Sequence, residues 1–240
     1  EVIHDALDKS LKRLQTDYVD LYQRHWPESK VNFFGQRKLS HDPDERWTDN
    51  FKSVIETLDG LVKEGKIRHY GVSNESSWGV MKQLHESKNN QLTSCKTIQN
   101  PYSLLNRTFE VNLAEVSLRE NVGLLAYSPL AFGVLSGKYL DGKLPDRSRL
   151  KLFPAYVRYS NPQAIKLTAY YAELANKHNL SLAHLSLAFV NQRPFVTSNI
   201  IGATTMEQLK ENISSIDISL SEEILMEIDE IQHLQPNPAP

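Results

Sequence analysis

Short apolar runs alternate with stretches of helical period along the whole chain. Ile3, Leu7, Leu11 and Leu14 fall on one stripe, which predicts a helix over residues 1–14. Residues 18–25 follow as a strand that ends on His25, just before Pro27. Phe51, Val54, Ile55, Leu58, Leu61 and Val62 recur at helical spacing, with Thr48 as N-cap and Gly65 near the C-terminus. Further strands are predicted over residues 69–74, 95–100, 123–128 and 198–202. Further helices are predicted over about 76–88, up to Glu120, and over about 162–178, 181–192, 205–214 and 221–234. The proline-rich residues 235–240 cannot be helical and read as an extended tail.

Five strands, each followed by a helix, predict an α/β architecture with parallel strands. Most strand cores are apolar on both faces, as buried parallel strands are. A length of 240 residues is close to that of one βα barrel, whose strand tips hold the chemistry. No repeat, low-complexity tract or linker divides the sequence, so residues 1–240 read as one domain. Two connections are long enough to be binding loops. Residues 28–47 carry Phe33, Phe34 and Trp47, and residues 129–161 carry Gly133, Gly137 and several basic side chains.

Charge and cysteine content narrow the picture. A net charge of -2 gives no general attraction to nucleic acid or to an anionic membrane. No apolar run approaches the roughly 18 residues of a membrane span. The single cysteine, Cys95, excludes an internal disulfide, and no His or Cys spacing fits a metal site. A cytoplasmic location is expected, with a plastid stroma as the alternative if a transit peptide precedes Glu1. The chain opens on Glu1 inside a helical pattern and reads as a partial product.

Polar side chains punctuate the strand tips. His25 ends the first strand, and an imidazole there would orient a substrate carbonyl or simply satisfy nearby backbone. Ser73 and Asn74, Gln99 and Asn100, and Tyr127 and Ser128 end three others. Asn and Gln offer a donor and an acceptor, the complement of a primary amide. Tyr127 suits stacking on a flat heteroaromatic ring, and Ser128 suits a phosphate. Gly133 to Lys138 is one residue too short for a phosphate loop, although Lys138 and Arg149 remain candidate phosphate ligands. No Gly-x-Gly-x-x-Gly follows a strand, which argues against a Rossmann domain. The strand tip at Gly202 runs into a helix N-terminus, a place that favours an anion. Gln208, Glu211 and Asn212 share one face of that helix.

Five strings in order then resemble the aldo-keto reductases, in the Tas-like branch near the potassium-channel β subunits. They are Asp20-Leu-Tyr-Gln-Arg-His-Trp-Pro27, Gly71-Val-Ser-Asn74, Thr97-Ile-Gln-Asn-Pro-Tyr-Ser-Leu-Leu105, Ala126-Tyr-Ser-Pro-Leu130 and Ile201-Gly-Ala-Thr-Thr-Met-Glu-Gln-Leu-Lys-Glu-Asn212. The resemblance implies a (β/α)8 TIM-type barrel that binds NADP(H). It places the nicotinamide amide at Ser73, Asn74 and Gln99 and the ring on Tyr127. Ser128 and Leu130 would support the pyrophosphate, with Pro129 and Gly202 also lining the cofactor site. Lys138, Arg149, Thr204 and Gln208 would lie near the phosphates, and Glu211 and Asn212 at the adenine. His25 would match the carbonyl-orienting histidine, with Trp26, Phe33, Phe34 and Trp47 shaping a pocket for a small carbonyl substrate.

The family's catalytic tetrad is Asp, Tyr, Lys and His, and the tyrosine is the general acid. The first three resemble nothing here, because the sequence starts at the helix before the histidine strand, with about the last five βα units. Tyr18 and Tyr22 lie within the strand and do not replace the acid. An open set of strands would expose edges, so self-association through such an edge is expected. Three readings follow: an NADPH-dependent aldehyde or ketone reductase, an NADP(H)-binding regulatory subunit, and a non-catalytic truncation product.

Overall fold

Burial and capping decide where each predicted element begins. The computed structural model describes every residue except 1, 28, 31–33, 37, 39–42 and 45–47. In chain order the regular elements are α1 (Val2–Leu14), β1 (Val19–Arg24), α2 (Phe51–Lys63), β2 (Ile67–Ser73), α3 (Ser77–Asn89), β3 (Thr97–Pro101) and α4 (Leu113–Glu120). Then come β4 (Gly123–Tyr127), α5 (Arg149–Leu152), α6 (Pro162–Lys177), α7 (Leu182–Asn191), β5 (Val196–Asn199), α8 (Met206–Ser214) and α9 (Glu222–Leu234). The pairings β1–β2, β2–β3 and β4–β5 are all parallel, as the βα alternation predicts.

Most helix starts follow the polar residue that the sequence offers. Ser76, Asn161, Ser181, Thr205 and Ser221 each accept a backbone N–H with the side chain, from Gly79, Ala164, His184, Gln208 and Ile224. Each such cap stabilises its helix by roughly 1 kcal/mol. The start of α2 differs from expectation. Its N-cap is Asn50, not Thr48, and the Asn50 side chain makes no capping bond. Instead Asp49 Oδ1 accepts from the Phe51 N–H at 3.3 Å. The helix begins where Phe51 goes under cover, with 1 % of its surface exposed. Gly65 follows α2 with φ +75, a conformation that suits glycine.

The chain divides into two compact units. The first comprises Glu1–Val31, Ser40–Gln99 and Val116–Gly123. In it β1 pairs with β2, Val19 facing Ile67, and β2 pairs with β3, Ser73 facing Gln99. Leu7, Ile55, Leu58, Leu61 and Ile98 fill its core. Burying each such side chain stabilises the fold by about 1.5–3 kcal/mol before entropy is counted.

The second unit comprises Asn32–Leu39, Asn100–Glu115 and Leu124–Pro240. Its β4 pairs with β5, Leu124 facing Val196, with an irregularity between Leu124 and Leu125. This register starts β5 two residues earlier than predicted, so Ile200 to Gly202 lie beyond the strand. Tyr171, Phe189, Leu185 and Ile228 are buried in its core. Residues 235–240 are not helical, as predicted, but they are not extended either: they bend, with Asn237 in the left-handed region at φ 46, and they are pinned. Ala239 N–H donates to Leu105 O at 3.1 Å, and Arg107 N–H donates to Asn237 Oδ1 at 2.6 Å. No helix among the described residues is long and apolar enough to cross a membrane.

Candidate functional site

In the first unit, three strands bring polar tips to one place. Asn74 follows β2 in the left-handed region, with φ 56. Its Nδ2 donates to His25 O at 3.0 Å and to Ser73 Oγ at 3.3 Å. Ser73 Oγ donates in turn to Gln99 O at 2.7 Å, and Asn74 N–H reaches the same oxygen at 3.1 Å. The tips of β1, β2 and β3 are thus knotted through Ser73 and Asn74. Gln99 contributes its backbone oxygen to the knot, and its half-buried side-chain amide has no hydrogen-bond partner among the described residues. His25 and Trp26 are exposed beside it, with ring centroids 5.5 Å apart.

Glu75, next to Asn74, was not singled out from sequence. It is 3 % exposed, and burial pushes its carboxyl pKa up, against the Ser76 N–H that donates to Oε1 at 2.9 Å. A Cβ at Gly79 would lie 2.0 Å from Glu75 Oε1, so α3 approaches this carboxylate closely only because residue 79 is glycine. The signal in the sequence was slight: an acidic residue just before an N-cap serine, with a glycine in the first turn.

In the second unit, Tyr127 ends β4 and Ser128 follows in the left-handed region at φ 56. Burial pushes the Tyr127 pKa up to about 12, and the neighbouring Arg158 guanidinium works against it. Pro129 is buried and Leu130 half-buried. The connection then turns tightly at Phe132 and Gly133, both at positive φ. Lys138 folds back over that turn: a Cβ at Gly133 would stand 2.7 Å from Lys138 Nζ. Arg149 lies over the Phe132 ring at 4.5 Å.

The start of α8 is a second polar cluster of the same unit. Gln208 Oε1 accepts from Thr204 N–H at 2.9 Å and from Thr204 Oγ1 at 3.0 Å. Asn212 is buried and donates to Gly202 O at 3.2 Å. Glu211 Oε1 accepts from Ser181 Oγ at 2.6 Å. Gln208, Glu211 and Asn212 therefore each hold a protein partner, which fixes the exposed Gly202–Thr204 turn against the helix. Phe34 belongs to this unit and is half exposed, 5.3 Å from the Arg158 guanidinium. Phe33 and Trp47 lie outside the described residues.

Cys95 is buried, with its thiol pushed up to about 12 chiefly by burial. Among the described residues no three His, Cys, Asp or Glu side chains gather as metal ligands.

Parallel βα units with polar strand tips define a class, and comparison with known proteins names it. The Aldo/keto reductase family pattern matches residues 1–233. The chain belongs to the aldo/keto reductase family. It is 51 % identical over 243 residues to Protein tas of Escherichia coli K12, covering 99 % of this chain and 68 % of that protein. It is 31 % identical over 242 residues to L-glyceraldehyde 3-phosphate reductase of Escherichia coli O157:H7, covering 95 % and 62 %. A putative voltage-gated potassium channel subunit beta of Schizosaccharomyces pombe is 28 % identical over 242 residues, covering 98 % and 65 %. The Tas-like branch and its channel-subunit neighbours are thus both represented among the relatives.

Proposed function

We propose that this chain is the NADP(H)-binding part of an oxidoreductase that reduces aldehydes or ketones to alcohols in the frame of a (β/α)8 barrel. The observation that carries the proposal is the knot of β-strand tips. Gln99 keeps a side-chain donor and acceptor without partners among the described residues, and Ser73 and Asn74 hold the three tips together. That donor set fits a nicotinamide carboxamide. In the second unit, Tyr127 supplies a half-buried ring face, and Ser128, Pro129 and Leu130 form the turn beside it. Lys138 and Arg149 supply two cations suited to phosphate, and a phosphate on the adenosine ribose would favour NADP(H) over NAD(H). Gly202, Thr204, Gln208, Glu211 and Asn212 are assigned to the adenosine end.

When bound, NADPH supplies a hydride to a carbonyl carbon. His25 is exposed at the tip of β1, where its imidazole would hydrogen-bond a carbonyl oxygen and orient it. Trp26 and Phe34 are assigned to the substrate side, together with Phe33 and Trp47. We assign the proton donor to neither Tyr18 nor Tyr22. Tyr22 sits within β1, and burial raises its pKa, which makes it a poorer acid.

The test is NADPH oxidation by the intact protein with short aldehydes, alongside NADPH binding. Binding with turnover supports the reductase. Saturable binding without turnover favours the regulatory-subunit reading that the channel-subunit relative represents. Absence of both rejects the proposal.

A further inference from the structure

Arg158 stands in the middle of the second unit's long connection, and no reading of the site assigns it a role. Its Nε donates to Pro240 O at 2.8 Å and to Ala239 O at 3.3 Å. Its guanidinium lies over the Phe34 ring at 5.3 Å and over the Tyr159 ring at 5.0 Å. It also faces the Tyr127 phenol. One planar cation therefore touches three aromatic side chains and the backbone of the C-terminal segment. Each partner comes from a different stretch of sequence. Gly35 N–H donates to the same Pro240 O at 2.6 Å, so the backbone beside Phe34 is tied to the same point. Asn161 Nδ2 closes the arrangement by donating to Arg158 O at 2.8 Å and to Pro238 O at 2.9 Å.

We infer that Arg158 is a positioning residue, which uses the clasped backbone of Ala239 and Pro240 to hold Tyr127 and Phe34 in place for cofactor and substrate. This rests on the proposed NADP(H) reading, which gives Tyr127 the nicotinamide ring. A guanidinium suits the task because it is flat and rigid. It presents two faces to aromatic rings while its edge donates to carbonyls. Lysine keeps the charge but has neither the plane nor the fixed fork. The cofactor platform is thereby coupled to a contact 82 residues further along the chain.

Three variants separate positioning from mere structural support. Arg158→Ala and Arg158→Lys remove the planar group. Asn237→Ala loosens the same C-terminal segment at its Arg107 contact and leaves the Arg158 side chain in place. NADPH affinity is read by fluorescence titration, and thermal midpoints are read in parallel. Arg158→Ala is expected to weaken NADPH binding about tenfold. Arg158→Lys should recover less than half of that loss, and Asn237→Ala should stay within about twofold of wild type at a comparable drop in midpoint. The inference is overturned if Asn237→Ala and Arg158→Ala weaken binding equally, or if Arg158→Ala binds as wild type does. Wild-type protein that folds and binds no NADPH overturns the cofactor reading itself, and this inference with it.

Discussion

Replacing Asn74 tests the strand-tip knot directly, because the residue has a backbone role and a side-chain role that two substitutions separate. The backbone role is its left-handed conformation, φ 56. The side-chain role is the pair of bonds from Nδ2 to His25 O at 3.0 Å and Ser73 Oγ at 3.3 Å. Asn74→Gly keeps the conformation at no steric cost and removes the amide. Two net hydrogen bonds at about 0.5–1.5 kcal/mol each put the local loss at about 2 kcal/mol. Asn74→Ala loses the same bonds and adds a left-handed Cβ, a further ~1 kcal/mol once the greater freedom of glycine in the unfolded chain is set against it. Urea unfolding followed by circular dichroism should therefore rank wild type, then glycine, then alanine. For NADPH, both variants lose one fixed amide contact and bind about tenfold more weakly, equivalent to about 1.4 kcal/mol. The decisive comparison is between the two readouts. Stability should differ between glycine and alanine, while cofactor affinity should not. A glycine variant that binds NADPH like wild type would refute the assignment of this amide to the cofactor.

Two further outcomes concern the first unit's support. Asp59 accepts from Lys63 and from the Thr93 N–H and hydroxyl, the latter two at 2.9 and 2.7 Å, and these bonds, led by that of Lys63, hold its pKa down at about 2. An unfolded aspartate titrates near ~3.9, so the folded value is depressed. Its stabilising effect is present above about pH 4 and is lost as pH falls through about 2. Asp59→Ala should cost about 2–3 kcal/mol and Asp59→Asn about 1, because asparagine keeps an acceptor for Thr93, and the acid limb of a pH–stability curve should flatten in both. Gly79→Ala sets a Cβ 2.0 Å from Glu75 Oε1, and should lower the thermal midpoint and weaken NADPH binding through the adjacent Asn74 turn. Unchanged values of both would show that the turn after β2 tolerates displacement.

What the sequence made legible was local. Ser76, Ser181, Thr205 and Ser221 mark helix starts because a capping side chain acts within three residues of itself. Ser73, Asn74 and Gln99 stood out because polar residues interrupt otherwise apolar runs. The misplaced start of α2 has a different cause. Thr48 is a good cap by type, but the buried Phe51 fixes where the helix enters the core. The earlier start of β5 follows from its register with β4, which periodicity does not encode. Glu75 and Arg158 escaped notice for the same reason. Glu75 is defined by the glycine that lets α3 approach it, and Arg158 by partners from Phe34 to Pro240. Long-range partners of this kind leave no spacing in the sequence to read.

The central claim is that this chain binds NADP(H) through the side-chain amide of Gln99 in β3. Its most direct test is calorimetric titration of wild type and Gln99→Ala with NADPH and NADH. Gln99 is suited to the comparison because its side-chain amide has no protein partner among the described residues, so its removal disturbs no recorded contact. The account predicts saturable binding to wild type, a preference for NADPH, and a roughly tenfold loss in Gln99→Ala at an unchanged thermal midpoint. Equal affinity of the two proteins, or a folded wild type that takes up neither nucleotide, would contradict it.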